Sequence, residues 1–360
     1  MKFFELQGLT RKTVSYLFLV KIGFGILLWA MYTFYYTDRN TSDIYKFYDD
    51  AGYIYKALPE HPLHYIQMVW GINTNADYLK PYYDQMHNWY KPWNGARFHD
   101  NKIIIQFNAF VYLFSFGYYN VHTVFMCFLS FMGLAGIYKT FSGFLTDKIV
   151  ELTVAVFLIP SVLFWGSGVL KEGIIIFSLG MLIYTLNKSL FGNTKNLSCF
   201  VYFLLSAGLL LFSKMYVFAA IAPSIVSLIV IRFTNKERVF LKFAAVHLLF
   251  FAIAVNLYRL HIGWNIMWLL HQKQMGFIQT AITDRAGSYI TINYLRPTTI
   301  SLITNAPQAI INTLFRPYLF ESKSFLILAA SLENLILLIL FIATIFNFKK
   351  PSPEVISLFY

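Results

Sequence analysis

The sequence is poor in charged residues. Of its 360 residues only 13% are charged, whereas 58% are apolar or aromatic and the mean hydropathy is +0.56. A soluble domain typically has about 25% charged residues, so too few polar side chains remain here to cover a surface that faces water. The composition excludes intrinsic disorder and a collagen-like chain, and it predicts a protein that resides in a membrane.

Cysteine is scarce as well. Cys127 and Cys199 both lie inside apolar runs, where a thiol behaves as a small hydrophobic group. Two cysteines so placed give neither a disulfide framework nor the spacing of metal ligands. The motifs GxxxxGK[ST], HExxH, CxxC and GxSxG are also absent. Their absence removes the usual sequence evidence for P-loop nucleotide binding, zinc peptidase, dithiol redox and serine hydrolase chemistry.

The formal net charge is +12, which by itself could indicate nucleic-acid binding. The basic residues, however, mostly stand between apolar runs. Lys and Arg at the ends of membrane helices reflect the positive-inside bias and the attraction of anionic headgroups. We therefore expect the lipid bilayer as a partner and no nucleic acid.

Apolar runs long enough to cross roughly 30 Å of hydrocarbon occur along most of the chain. The first is too long for a signal peptide and has no small-residue cleavage site. The pattern predicts one all-α, polytopic integral membrane domain over residues 1–360, with about nine or ten transmembrane or re-entrant helices. The runs cover residues 14–36, 103–119, 121–138, 149–165, 169–186, 198–213, 215–231, 239–258 and 324–346, with a weaker one at 299–315.

Basic residues near the ends of the runs favour a cytoplasmic N-terminus. Residues 37–102 and 259–298 then form two extracytoplasmic loops. Full crossings at both 103–119 and 121–138 would place Lys139 on the outer side. One of these runs is therefore predicted to be re-entrant or interfacial, unless the N-terminus faces outward.

The segment of residues 37–102 is the most distinctive part of the sequence. It contains eight of the 17 acidic residues together with many tyrosines and tryptophans, and these aromatic side chains favour the level of the lipid headgroups. The composition predicts a folded loop that lies on the membrane and contains short interfacial helices.

Three acids follow the first apolar run directly. Asp43 and Asp50 would lie on roughly one face of a helix, since three- and four-residue steps align, and Asp49 is adjacent to Asp50. Carboxylates beside a membrane could provide a general base or hold a divalent cation such as Mg²⁺ or Mn²⁺. The alternative is a solvated loop in which the acids only cap a helix, and the spacing does not separate the two.

A second feature is a break between two apolar runs, from Pro160 through Gly166 and Gly168 to Lys171 and Glu172. Interrupted backbone at membrane depth is tolerated only where it is buried or lines a cavity. Ionisable residues at that depth are functional candidates. A lysine that extends from a helix end to the interface is the ordinary alternative.

Isolated cations form the third feature. Lys214, Arg285, Arg296 and Arg316 stand in apolar or interfacial surroundings. Guanidinium groups bind phosphate through two hydrogen bonds and lysine binds it as a point charge. A phosphate at the headgroup level would need two or three such donors, so each cation alone is weak evidence.

Taken in chain order, these features resemble the polytopic GT-C superfamily of glycosyltransferases and the related O-antigen and exopolysaccharide polymerases. The resemblance covers most of the chain and rests on the order of its features more than on any one of them. They are the acids after the first run (Asp43, Asp49, Asp50), the break (Pro160, Trp165, Gly166, Ser167, Gly168, Lys171, Glu172) and a terminal pattern (Asn305, Pro307, Arg316, Pro317, Glu321, Glu333, Asn334).

The resemblance implies an inverting enzyme of the bacterial inner membrane whose active site faces the extracytoplasmic side. A sugar would pass from a polyprenyl-phosphate or polyprenyl-diphosphate donor to a glycan or lipid-linked acceptor. The absence of a spaced Asp-x-Asp leaves the metal requirement open. The implied roles are general base for Asp49 or Asp50 and then Asp43, phosphate binding for Arg296, Arg316, Lys214 and Lys171 with Glu172 orienting Lys171, and sugar contact for Trp165 and Tyr48.

Other classes of function fit part of the pattern. A polymerase that moves a whole oligosaccharide between lipid carriers needs the same base and phosphate contacts. A transporter or flippase of lipid-linked or anionic solutes would use broken helices with ionisable residues, although the sequence does not show two comparable halves. A membrane scaffold would leave the clustered acids and cations without a purpose.

Overall fold

The structure is a computed structural model that describes residues 2–36, 38–39, 42–90, 100–192, 197–234, 237–283 and 290–347. All regular secondary structure in these ranges is helical. The α-helices are α1 (Arg11–Phe34), α2 (Asp43–Lys56), α3 (Pro62–Trp70), α4 (Lys80–Tyr83), α5 (Asn101–Ser115), α6 (Tyr119–Ser142), α7 (Ile149–Phe157), α8 (Pro160–Trp165), α9 (Lys171–Phe191), α10 (Leu197–Ser213), α11 (Met215–Phe233), α12 (Val239–Asn256), α13 (Ile266–Thr283), α14 (Thr299–Phe315) and α15 (Phe325–Phe346). Short 3-10 helices lie at Lys2–Phe4, Asp77–Leu79, Thr146–Lys148, Leu257–Arg259, Ile262–Trp264 and Leu319–Glu321.

Six of the described helices are long and apolar enough to cross a membrane. They are α1, α6, α9, α11, α15 and the segment Val239–Arg259, which joins α12 to the 3-10 turn that follows it. Six such helices are compatible with a multi-pass membrane protein. Their number is lower than the nine or ten segments expected from apolar runs alone.

The difference comes from how four of the runs fold. The run at 149–165 is divided into α7 and α8, because Pro160 lacks the N–H that a continuing helix needs. The run at 103–119 forms α5, which has only 15 residues, and α10 and α14 have 17 each. A helix rises about 1.5 Å per residue, so these helices are shorter than the roughly 20 residues of a full crossing.

The chain divides into two compact units, residues 1–221 and residues 222–360. In the first unit, α6 packs closely against α9. A Cβ atom added at Gly180 would lie 2.0 Å from the carbonyl oxygen of Gly133, and one added at Gly173 would lie 2.4 Å from the sulfur of Met126. The contacts advance in the same direction along both helices, so α6 and α9 run parallel.

Helix α1 runs antiparallel to α6. Gly25 lies against Cys127, whereas Tyr138, later in α6, donates a hydrogen bond to the carbonyl of Gln7, which precedes α1. The end of α1 and the starts of α6 and α9 therefore lie at one end of the unit. The basic residues Arg11 and Lys139 lie at the opposite end. Lys139 lies at the same end as Arg11 because α6 runs antiparallel to α1.

The second unit contains α12 to α15 and most of α11. Its helices expose most of their large apolar side chains, and none of the residues of α12 is buried. A membrane would cover such surfaces. Within the unit, the side-chain amide of Asn334 on α15 donates to the backbone carbonyl of Arg316 at 2.7 Å and joins α15 to the end of α14.

One lysine is buried in the middle of α1. Lys21 is 1% exposed, and its ammonium nitrogen has no hydrogen-bond partner in the described structure. That nitrogen lies 3.4 Å from the position that a Cβ atom would take at Gly166, in the break that follows α8. A buried ammonium without a counter-charge opposes folding, because burial removes its hydration.

Replacing Lys21 with methionine is therefore expected to stabilise the protein, because methionine has a similar length and needs no hydration. Replacement of buried charged groups by apolar side chains is worth up to roughly 1–4 kcal/mol, which for a chain of 360 residues corresponds to a melting temperature higher by roughly 1–5 °C. Thermal unfolding of the purified protein in detergent measures the change. Lys12→Met, at an exposed position of the same helix, is the control. A lower melting temperature for Lys21→Met would show that Lys21 has a stabilising partner.

Candidate functional site

Helix α2 positions the acids of residues 37–102. Its buried side chains Ile44, Phe47, Ala51 and Ile54 recur at helical spacing, and most of them pack in a core shared with α3 and α5. Asp43 occupies the first turn, where the partial positive charge of the helix N-terminus favours a carboxylate. The buried apolar face thus holds α2 against α3 and α5, and this packing fixes the positions of the acids on α2.

Lys171 is the first residue of α9, directly after the break that the sequence predicted. Its ammonium lies 3.0 Å from a carboxylate oxygen of Asp100 and donates a hydrogen bond to the side-chain oxygen of Asn101. The side chains of Lys171 and Asp100 are only 13% and 17% exposed. The ammonium also lies 5.2 Å from the ring centroid of Phe47 on α2. The break therefore brings a largely buried cation against α2 and the start of α5.

A chain of hydrogen bonds connects Lys171 to Asp50. The amide nitrogen of Asn101 donates to the backbone carbonyl of Asn88 at 2.8 Å. The backbone N–H groups of Asn88 and His87 donate to the two carboxylate oxygens of Asp50 at 2.8 and 3.1 Å. Burial raises the pKa of Asp50, and these backbone hydrogen bonds oppose the rise in part. Asp50 thus holds the backbone that in turn holds Asn101.

Asp49 and Asp43 have different surroundings. Asp49 is half-exposed and accepts two hydrogen bonds from Arg39, one of them 2.9 Å long from Nε. The pKa of Arg39 is raised, mainly by this hydrogen bonding. Asp43 is paired with Lys46 at 3.1 Å, and its side chain is 65% exposed. Ile44 at the start of α2 and Leu170, directly before α9, are buried in the same apolar cluster, so the starts of α2 and α9 lie close together.

The acids do not form a metal site in the described part of the chain. No group of three His, Cys, Asp or Glu residues there is placed to hold a metal ion. The carboxylate of Asp50 accepts from backbone N–H groups and that of Asp49 from Arg39, so neighbouring residues already occupy both. A shared Mg²⁺ or Mn²⁺ between Asp49 and Asp50 does not fit this arrangement.

The two aromatic residues expected to contact sugar lie in different environments. Tyr48 is buried, donates to the carbonyl of Gly117 at 2.5 Å, and stacks on Tyr112 with a centroid distance of 5.0 Å. Trp165 is 44% exposed at the end of α8, with its ring edge-to-face with that of Phe164. Trp165 is therefore open to a ligand, whereas the contacts of Tyr48 hold α2 against α5 and α6.

The remaining cations are distributed through other parts of the chain. Arg316 is bound to Glu321 through its guanidinium group, which lowers the pKa of Glu321. Arg296 is exposed after α13, and the ammonium of Lys214 lies 5.5 Å from the ring centroid of Tyr216. Arg285 lies outside the described residues. Arg296 and Arg316 belong to the unit of residues 222–360 and are described within that unit alone.

Sequence reasoning did not single out the partners of Lys171. Asp100 is one of the eight acids of residues 37–102, and Asn101 is an uncharged residue that follows it. The only signal is their position, at the start of an apolar run that begins with Asn101 and Lys102. Spacing could not reveal the contact, because it joins residues 70 positions apart.

A second polar group that the sequence did not indicate lies between α5 and α6. His122 is fully buried, with Nε2 2.7 Å from the hydroxyl of Ser115 and Nδ1 2.9 Å from the side-chain oxygen of Asn108. The amide nitrogen of Asn108 donates to the carbonyl of Ile104, so its oxygen accepts from Nδ1–H and Nε2 accepts from Ser115. This network assigns a neutral tautomer and ties the two helices together.

Comparison with known proteins gives no relative: no family model, no curated protein and no solved structure matches the chain. Its function is therefore argued from the chemistry of the residues described above.

Proposed function

We propose that the protein is a membrane glycosyltransferase that takes a sugar from a polyprenyl-phosphate or polyprenyl-diphosphate donor. The observation that carries the proposal is the largely buried ammonium of Lys171, held by Asp100 and Asn101 at a break between apolar helices. A donor of this kind cannot leave the bilayer, so its enzyme needs a cation at the end of an apolar surface. Lys171 fulfils that requirement.

Asp43 is the acid best placed to act as general base. It lies on the turn of α2 that precedes Phe47, whose ring faces Lys171. Its carboxylate is paired with Lys46 but is 65% exposed, so an acceptor can reach it. Asp50 is occupied by backbone N–H groups and Asp49 by Arg39. The geometry thus favours Asp43 over the two acids that the resemblance placed first.

In the proposed reaction, Asp43 accepts the proton of an acceptor hydroxyl. The oxygen of that hydroxyl forms a bond to the anomeric carbon of the donor sugar. The bond between that carbon and the phosphate oxygen breaks, and the electron pair leaves with the lipid phosphate. Lys171 stabilises the negative charge that develops on the leaving oxygen, an effect that grows where water is excluded. Attack opposite the leaving group inverts the anomeric configuration, and Asp100 and Asn101 keep Lys171 in place.

The proposal includes a location. The basic residues Arg11 and Lys139 lie at the end of the first unit away from Lys171, and cytoplasmic loops carry the excess of Lys and Arg. We place the site on the extracytoplasmic side of a bacterial inner membrane, with a glycan or lipid-linked molecule as acceptor. A polymerase that transfers a whole oligosaccharide would use the same residues.

The test is the glycan profile of cells that lack the protein and are complemented with variants. Asp43→Asn is expected to accumulate lipid-linked precursor of normal size, as the deletion does, because the base is lost while the shape is kept. Asp84→Asn, at an exposed acid of the same segment, serves as the matched control and should restore the glycan. Normal glycan with an inserted, normally expressed Asp43→Asn protein would refute the assignment of the base.

A transporter or flippase is the second candidate, and the position of Lys21 favours it. A buried lysine beside a broken helix is typical of substrate and ion paths through membranes. The same complementation separates the two functions. If the protein is a transporter, cells with Lys21→Met should lack the glycan and cells with Asp43→Asn should make it. If the protein is a transferase, the reverse is expected.

A further inference from the structure

Helix α3 exposes an apolar stripe although it is too short to be a membrane span. Leu63, Ile66 and Trp70 lie on its outer face and are 65%, 46% and 71% exposed, and Ile72 just after the helix is 54% exposed. The helix contains no Asp, Glu, Lys or Arg. Single exposed apolar residues are ordinary, but a continuous stripe indicates an interaction surface.

The inner face of α3 fixes how this stripe is directed. Tyr65 and Met68 are buried against α5. The hydroxyl of Tyr65 donates to the carbonyl of Ala109 at 2.9 Å, and the amide of Gln106 donates to the carbonyl of Met68 at 3.0 Å. These two hydrogen bonds and the buried contacts fix the rotation of α3 about its axis, so the apolar stripe stays on the outer face.

We propose that the outer face of α3 is a lipid-binding surface that lies in the headgroup region of the bilayer. This lipid contact is independent of the proposed catalytic function. The composition indicates membrane contact only for residues 37–102 as a whole, whereas the structure points to one face of α3. Trp70 at one end of the stripe and Tyr78, whose hydroxyl donates to the side chain of Gln67 on α3 at 3.2 Å, are exposed residues of the types that favour the headgroup level. Tyr35, directly after the membrane-length helix α1, is another exposed aromatic residue at the same end of the unit.

The size of the stripe argues for lipid over a second copy of the chain. Large apolar side chains have roughly 150–250 Å² of surface each, so the four exposed fractions amount to roughly 450 Å². A stable protein interface buries about 800 Å² on each partner. Helix α5 also exposes the rings of Phe110 and Phe114, whose centroids are 5.4 Å apart, and a bilayer can cover several such surfaces at once.

The experiment places a nitroxide spin label on the full chain in lipid nanodiscs. Ile66→Cys reports on the stripe, and Glu60→Cys, exposed just before α3, is the matched control. The wild-type protein gives the labelling blank, because Cys127 and Cys199 are buried. Collisions of the label are measured with oxygen, which concentrates in lipid, and with a water-soluble nickel chelate.

The label at position 66 should collide preferentially with oxygen, with a ratio of oxygen to nickel collisions several-fold higher than at position 60. Equal ratios at the two positions would show that the stripe faces water and would overturn the proposal. A label at position 66 shielded from both reagents would overturn it too, because the stripe would then be covered by protein. Chromatography of each variant in detergent verifies that it is folded before labelling.

Discussion

Lys171→Met is expected to reduce glycan product at least about a hundredfold, the scale on which removal of one charge-stabilising donor acts. Methionine preserves the length of the side chain but cannot neutralise a departing lipid phosphate. The variant also removes the ammonium that lies 3.0 Å from the carboxylate of Asp100, and breaking a buried pair in this way costs up to roughly 3–5 kcal/mol. Glycan product per unit of inserted protein separates lost activity from lost stability.

Two further variants make the test specific. Lys171→Met combined with Asp100→Asn removes both charges, so it should recover stability but not activity. Lys46→Met breaks the more exposed pair with Asp43, and exposed pairs contribute only about 0–1 kcal/mol, so the protein should fold normally. Full activity of the double variant would show that Lys171 serves only to hold α5 against α9.

Gly180→Ala should prevent the first unit from folding. Its added Cβ atom would lie 2.0 Å from the carbonyl oxygen of Gly133 and 2.5 Å from the carbonyl carbon. These are backbone atoms, so α6 and α9 would have to move apart. Overpacking usually costs 1–3 kcal/mol where side chains can adjust, and here we expect at least about 3 kcal/mol. The yield of monodisperse protein in detergent and its melting temperature measure the loss.

Gly23→Ala provides the matched control for this substitution. Gly23 also lies within a membrane-length helix, but an added Cβ atom would have no neighbour within 4 Å. Alanine is the better helix former by up to about 1 kcal/mol, so Gly23→Ala should fold at least as well as the wild type. Equal melting temperatures for Gly180→Ala and Gly23→Ala would show that α6 and α9 do not pack closely at Gly180.

Some features of the candidate site could be predicted from the sequence, whereas the partners of its acids could not. Composition and the Pro and Gly residues indicated the break before Lys171, because these residues act on the local backbone. The resemblance, in contrast, implies Asp49 or Asp50 as general base before Asp43, and spacing along the chain does not show which partners each acid has. Arg39 binds Asp49 through a pairing 10 residues away, and the partners of Asp50 lie 37 and 38 residues away. No periodicity encodes such contacts.

The sequence by itself determined the all-helical class, the apolar helices long enough for a membrane and the break that begins α9, because each follows from local composition and backbone chemistry. Only the tertiary structure decided which runs are full-length helices and which charges meet. Glycines let α6 and α9 approach closely, and α5 packs on α2 as a short helix. Those contacts place Lys171 against Asp100 and bring Asp43 to the same end of the unit, since long-range packing and not spacing along the chain determines which side chains become neighbours.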